Sequence, residues 1–440
     1  MTTARAQFPS LPTVAARAGV VGLRDRWSKR KYLSLSALWA LWLVTRTVLY
    51  LVGTNPRFVG DVGLYQHWYA CCLSRLAVPA ADPMWQYPPG AAVVFWLPGR
   101  LPGSYLDNFT FLAISCDLAV TVILCLAPRR GGSLAGAWYW VCGVPLLGSL
   151  AVGRLDIIPV AFSVAALCMT GRGRGVLLGA GAAVKAWPVT LLAGTAPGQW
   201  RRTLAIQAVL AAACVFFRGP TMSFLAHQDA RGVEIESAAA TPFMIWRDAG
   251  WHGSAVFRYG AWQLSGDYVA LARDASRLGL VFTAVAAAAW CVLTARGRIR
   301  WRPEFAADAP LAVTLLVMVA SPVLSPQYLL WVIGLAAVCV ASRRTTQRPV
   351  ALAVLVAALL TVAVFPVGWQ SLLAGSATIT GILAARNALL AAAAAASCWR
   401  VLSAAAPGGE DPGQKTAMCL QQADAEKRPP AGAPPHALPG

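Results

Sequence analysis

The chain has 440 residues, of which 58% are hydrophobic and only 12% charged, about half the charged share of an ordinary soluble protein. Apolar runs of about twenty residues recur along it, each long enough for a hydrocarbon layer roughly 30 Å thick. A soluble enzyme, a disordered scaffold and a disulfide-stapled secreted domain are excluded, and a polytopic membrane protein remains. The net charge of +19 would suggest nucleic acid in a soluble chain. Here Lys and Arg are expected to mark cytoplasmic loops and to meet anionic headgroups, so no nucleic-acid partner is expected. Most of the eleven cysteines sit in apolar runs and read as small apolar residues. Cys71 and Cys72 fall in an expected exterior loop, and no cysteine spacing suits zinc.

Residues 1–32 carry seven basic residues and read as a cytoplasmic segment without a cleavable signal, followed by a first span over 33–52. Further spans are predicted over 108–127, 133–151, 155–170, 174–186, 187–197, 202–217, 277–295, 307–322, 327–342, 349–366 and 378–402. The expected fold is therefore an all-α polytopic membrane domain over 33–403, with about twelve transmembrane helices. Large exterior loops lie at 54–107 and 218–276. The segments 174–186 and 187–197 are short and read as a hairpin broken around Lys185 and Pro188. The tail 404–440, rich in Pro, Gly and Ala, is expected to be disordered and cytoplasmic. Charge supports this layout: thirteen basic residues in Arg129–Arg130, Arg172–Arg174, Arg201–Arg202, Arg296–Arg302 and Arg343–Arg348 all fall on the cytoplasmic side. Residues 89–101 read as a helix along the outer surface, because a span there would turn Arg129 and Arg130 outward.

Several polar residues stand out in this apolar chain. In FVGDVGLYQHWY, Asp61 would lie near the outer membrane surface, where a carboxylate can take a proton from an acceptor hydroxyl; a solvated loop acid explains it equally simply. Tyr65, His67 and Trp68 suit a sugar site or an interfacial aromatic belt. WQYPPG carries Tyr87 and a proline-fixed entry to the surface helix. Lys185 sits between apolar segments, where an ammonium is costly unless paired. A lipid phosphate would pair it, and snorkelling would relieve it too. The second loop brings Arg231, Glu234 and Glu236, then Trp251, His252, Arg258 and Trp262, a mixture that suits an anionic amphiphile or a sugar face. Gln327 and Tyr328 in SPQYLLW mark an outer helix end. So does Asp156 in VGRLD, where pairing with Arg154 is the plain expectation. Arg46, Asp117 and Arg386 lie in or near spans and are either functional or paired within the bundle. No phosphate-cradling glycine loop, metal-ligand spacing or nucleophile elbow is present, so ATP-driven transport and soluble-type hydrolysis lose support.

In order along the chain, GDVGLY, QYPP, VGRLD, AAVKAWPVTLL, RGVEIES and SPQYLLW together resemble the C-type membrane glycosyltransferases. Within them, the set is most similar to the family 87 polyprenyl-phosphate-mannose-dependent α-mannosyltransferases of actinobacteria. The resemblance covers about residues 60–332. It implies C-type glycosyltransferase architecture, an exterior active site, an inverting transfer from a polyprenyl-phosphate sugar donor, and a glycolipid or glycan acceptor. It also implies that Asp61 is the catalytic acid–base residue and that Lys185 faces the donor phosphate, with Arg231 as a further phosphate ligand. Tyr65, His67, Tyr87, Asp156, Glu234, His252, Gln327 and Tyr328 are the expected substrate contacts. The sequence departs from its relatives at two places. Asp61 has no neighbouring acid, so no metal or other cofactor is assigned, and VGRLD carries Arg154 where relatives often have a neutral polar residue. The rival classes are a lipid or solute transporter or flippase, which would set polar groups at mid-membrane between repeated halves, and a non-catalytic assembly protein.

Overall fold

The computed structural model describes residues 14–54, 61–169, 171–216 and 223–406. The first thirteen residues and the expected tail beyond 406 lie outside them. The described chain is almost entirely helical: α1 (Val14–Gly53), α2 (Val62–Cys71), α3 (Gly90–Trp96), α4 (Tyr105–Cys125), α5 (Ala135–Gly143), α6 (Ile157–Cys168), α7 (Arg172–Val184) and α8 (Trp200–Phe216). Then come α9 (Ser223–Asp229), α10 (Thr241–Trp246), a hairpin of β1 (Ser254–Arg258) and β2 (Ala261–Ser265), and α11 (Val269–Ala295). The chain ends through α12 (Phe305–Ala320), α13 (Leu329–Ala341), α14 (Arg348–Val362), α15 (Trp369–Leu373) and α16 (Ala377–Ala405).

Five segments are long and apolar enough to cross a membrane unaided: Tyr32–Val52, Tyr105–Cys125, Val269–Ala295, Arg348–Val367 and Ala377–Ala405. Shorter apolar helices occupy Ala135–Ala151, Ile157–Cys168, Phe305–Ala320 and Pro326–Ala341. The expected spans at 155–170 and 174–186 are helices of only 12 and 13 residues, about 18–20 Å at 1.5 Å per residue. Residues 187–197 open with a tight 3₁₀ segment, Trp187–Gly194. Neither half of the 174–197 pair is long enough to cross alone, and the chain between them is extended at Lys185. Such backbone is tolerated in a membrane domain only where protein or a polar cavity surrounds it. The expected loops are also more ordered than loops: α2, α3, α9, α10 and the hairpin lie within them, and α11 begins at Val269 rather than 277.

Close helix contacts are made where side chains are absent. A Cβ on Gly136 of α5 would collide with the Ala337 carbonyl of α13, and one on Gly90 of α3 would stand 2.6 Å from the Ala183 carbonyl of α7. The second contact seats the QYPPG turn beside the end of α7, which brings Tyr87 over Lys185. Inside the bundle, Arg46 of α1 grips Asp117 of α4 with two bonds of 2.9 and 2.8 Å and gives a third, of 2.8 Å, to the Val141 carbonyl of α5. Trp42 adds 2.6 Å to the same carboxylate. Mutual pairing thus accounts for both charges. Removing one partner of such a pair leaves the other buried and uncompensated, at about 3–5 kcal/mol. Asp117→Ala should therefore lower the thermal unfolding midpoint in detergent sharply, and Arg46→Met combined with Asp117→Leu should recover most of it. An unchanged midpoint for Asp117→Ala would contradict this role.

The same helices separate two kinds of chemistry. Helix α7 starts at Arg172 and ends at Lys185, while α13 starts beside Tyr328 and leads to the basic segment 343–348. The basic connections and the residues expected to act therefore occupy opposite ends of the bundle.

Candidate functional site

A cavity of about 450 Å³ opens at the end of the bundle where α7 stops and α13 starts. Its lining includes Asp61, Tyr87, Lys185, Arg231, Glu234, Gln327 and Tyr328, so seven of the expected residues converge from distant parts of the chain. They are brought there by element ends: Asp61 is the N-cap of α2, Lys185 the C-cap of α7 and Tyr328 the N-cap of α13.

Charge is balanced pair by pair. Lys185 Nζ donates to Asp156 Oδ1 at 2.7 Å, and Trp331 Nε1 donates to the same oxygen at 2.5 Å. Asp156 does not line the cavity; it is buried and holds Lys185 from beneath. The expected Arg154–Asp156 pair does not form. Arg154 turns instead to Asp61, and Arg231 pairs with Glu234. The ammonium of Lys185 also lies 4.9 Å from the centre of the Tyr328 ring, 5.2 Å from Trp331 and 5.9 Å from Tyr87, a setting that favours a desolvated cation.

Besides Asp156, three expected substrate contacts lie outside the cavity lining. His67 and His252 are exposed and do not line the cavity. On α2, Tyr65 and Trp68 take the buried face three residues apart, which turns His67 the other way. Tyr65 is fully buried, stacked on Phe95 at 4.1 Å, with its hydroxyl 3.4 Å from that of Tyr87; it supports the cavity wall rather than lining it. Trp251 packs on Phe243.

Glu236 and Trp262, noted in the sequence as part of the mixed charged and aromatic loop, also line the cavity, and so do Gln86, Gln228 and Trp331, for which the sequence carries no separate signal. RGVEIES touches the hairpin at a single bridge, Glu234 opposite Gln263: Ile235 N–H donates to the Trp262 carbonyl at 3.0 Å and Leu264 N–H to the Val233 carbonyl at 2.8 Å. The chain turns directly afterwards, with Ser237 N–H donating to the Glu234 carbonyl at 2.9 Å, and both Glu234 and Glu236 reach the cavity lining. Glu236 Oε1 is buried without a hydrogen bond and lies 3.9 Å from Arg386 Nη2, which donates to the Glu236 carbonyl at 2.7 Å. Among the described residues, no three His, Cys, Asp or Glu side chains come together as a metal site.

A second cavity of about 930 Å³ lies between α11, α12 and the segment after Lys185, walled by Leu280, Ala284, Val313 and Val317 among others. The two cavities share Trp187, Arg231, Tyr328 and Trp331. Trp187 stacks on Trp331 at 5.1 Å, and Trp331 on Tyr328 at 4.0 Å. An aromatic wall thus divides a charged chamber from an apolar one.

Burial pushes the Glu236 carboxyl up to about 8, against an opposing pull from Arg386. The folded protein therefore holds a proton that the unfolded chain releases above the ordinary carboxyl range. The stability this proton confers is full below about pH 4.5 and is lost as pH rises through about 8. Wild-type unfolding midpoints in detergent should fall across that window more steeply than those of Glu236→Gln. Parallel curves would contradict the assignment.

With the geometry in hand, comparison with known proteins adds a family. The model of glycosyltransferase family 87 matches residues 85–326, more than half of the chain. Arg154, Lys185, Arg231, Glu234 and Glu236 fall inside the match, and Asp61 precedes it. No curated protein matches. Crystal structures of ArnT from Cupriavidus metallidurans, bound to undecaprenyl phosphate and in the apo state, give TM-scores of 0.39 and 0.38. Each is 14% identical over 86% of this chain and 79% of that one.

Proposed function

This chain belongs to glycosyltransferase family 87, and we propose that it moves mannose from a polyprenyl-phosphate donor to a cell-envelope glycolipid or glycan. The reaction takes place on the outer face of the plasma membrane, inverts the anomeric centre and uses Asp61 as general base. The observation that carries this reading is the shared wall between the charged chamber and the apolar one. A sugar on a monophosphate lipid has the matching shape, with its prenyl chain among α11 and α12 and its phosphate beside Arg231 and Lys185. The sugar then lies in the chamber that holds Asp61.

The chemistry follows from these groups. As the glycosidic bond breaks, charge grows on the departing phosphate, and preorganised cations at that point stabilise the transition state more than the ground state. Lys185 and Arg231 supply it by sharing themselves between their resting carboxylates and the phosphate. The attacking hydroxyl gives its proton to Asp61, which Arg154 holds in place. A single displacement by this route turns a β-linked donor into an α-linked product. The outer placement is supported by the basic connections at the opposite end of the bundle, which mark the cytoplasmic side; both termini then belong to the cytoplasm. The polar groups gather at one end of the helices rather than at mid-bundle, which disfavours a transporter.

The test is transfer of labelled mannose from polyprenyl-phosphate mannose in membranes holding equal amounts of each variant. Asp61→Asn should leave folding intact and lower turnover by about 10²–10⁴-fold, the usual span for lost acid–base catalysis. Near-normal turnover would remove Asp61 from the mechanism and direct attention to Glu234, another acid in the cavity lining.

A further inference from the structure

Among the cysteines with described side chains, two stand apart. The others lie within α4, α5, α6, α11, α13 and α16, where a thiol behaves as a small apolar group. Cys71 and Cys72 instead close α2, the helix whose N-cap, Asp61, lines the charged chamber. Both are free thiols, Cys71 exposed and Cys72 half-buried, and their Sγ atoms stand 2.6 Å apart.

Neighbours in sequence do not face each other on a helix, where successive side chains point about 100° apart. Here the helix stops between them. Cys71 is the last residue of α2, and Cys72 leaves it with φ of −136° and ψ of −59°, which sets the two thiols side by side. Backbone bonds then hold Cys72 on both sides. Its N–H donates to the Trp68 carbonyl at 3.2 Å, and its own carbonyl accepts from Arg75 N–H at 3.0 Å and Ala77 N–H at 3.2 Å. Cys71 Sγ donates to the same Trp68 carbonyl at 3.7 Å. Trp68 is fully buried, with its indole N–H on Asp82 Oδ2 at 2.7 Å and its ring 6.0 Å from that of Tyr87. Tyr87 lines the chamber beside Lys185. The last turn of α2 therefore joins the thiol pair to the chamber wall.

We propose that Cys71 and Cys72 form a redox-active vicinal dithiol on the outer face, closed reversibly to a disulfide by an exterior disulfide oxidant, and that closure slows transfer. The step is a thiol–disulfide exchange. One cysteine thiolate attacks the oxidant's disulfide, forming a mixed disulfide and releasing one oxidant sulfur as a thiolate. The neighbouring cysteine thiolate attacks the cysteine sulfur of that mixed disulfide, which closes the ring and releases the second oxidant sulfur. Two electrons pass to the oxidant, and the two protons of the pair end on its thiols. Adjacent Cα atoms are about 3.8 Å apart, against roughly 4.4–6.8 Å in ordinary disulfides, so the small ring is strained. Strained, exposed disulfides are readily reduced and serve as switches rather than staples. The strain falls on the last turn of α2 and, through Trp68, on Tyr87. The outward placement and the transfer are those proposed above, and the dithiol adds a modification site to them.

The experiment uses full-length protein in intact cells and in membranes, glutathione disulfide as oxidant, and a membrane-impermeant maleimide read by peptide mass spectrometry. After mild reduction, the pair should take the maleimide from outside. After glutathione disulfide, the peptide holding both cysteines should have lost two hydrogens, carry no glutathione and take no maleimide. Dithiothreitol should restore labelling. Cys72→Ser should stop at the mixed disulfide on Cys71, and Cys71→Ser at the one on Cys72. Oxidation should lower wild-type transfer of labelled mannose about twofold or more, as small displacements beside a reacting centre do. The combined Cys71→Ser and Cys72→Ser variant should not respond. Glutathione retained on the wild-type peptide, or a disulfide linking two chains, overturns the dithiol. Labelling only after permeabilisation overturns its outward placement, and ring closure with unchanged turnover overturns its link to transfer. If reduced wild-type protein transfers no mannose at all, the proposed transfer has failed instead, and the mass reading still decides the dithiol.

Discussion

An ammonium group held among apolar helices must be paired, and Lys185 meets that demand through Asp156 at 2.7 Å and a cage of three aromatic rings. The rest of the site is arranged around this contact. Helix α7 stops where the lysine stands, because the chain is extended there and Pro188 follows three residues on. Asp156 is fixed at the start of α6 by the indole of Trp331 from α13. Three elements that would otherwise only pack are thereby pinned at one point, and Tyr328, Trp331 and Trp187 become the partition between two cavities.

The charges in the chamber are paired in a way that ligand can rearrange. Lys185, Arg231 and Arg154 each rest on a carboxylate, Asp156, Glu234 and Asp61 respectively. Buried cations left bare would be too costly to keep, yet cations locked in ideal pairs would have nothing to offer a phosphate. Partial exposure resolves this: the Lys185 and Arg231 side chains are 15% and 10% exposed, against 2% for Arg46, which has a purely structural task. In the proposed transfer, an incoming donor phosphate meets cations that are already positioned and still partly open to it.

How much of this was legible in sequence depended on the physics behind each signal. Lys185 beside Pro188 in an apolar stretch was readable, because an isolated charge there has few explanations. Asp61 was placed in the chamber, and Arg46 with Asp117 resolved into a pair. Partner choice was not readable: Arg154 and Asp156 are two residues apart at a turn, and nearness in sequence suggested a pair that their opposite directions forbid. Helix length was overread, since apolar composition does not tell a full span from a short helix enclosed by its neighbours. Tyr65 and His67 needed the helical period of α2, which turns one inward and the other out. The hairpin did leave a signal, since SAVFR and AWQLS alternate around Tyr259-Gly260. It is hidden inside a segment that reads as a loop, and Glu236 owes its place to α16, whose Arg386 and Asn387 both donate to its carbonyl.

The proposed transfer requires one lipid that bridges the two cavities. A polyprenyl phosphate bearing a photoreactive group in its chain, crosslinked to the protein in membranes and mapped by mass spectrometry, tests this most directly. Crosslinks should fall on α11 and α12 near Leu280, Ala284, Val313 and Val317, and should weaken when Arg231 is replaced by Ala. Crosslinks spread over the outer faces of α1 and α16, insensitive to Arg231, would contradict the shared donor site.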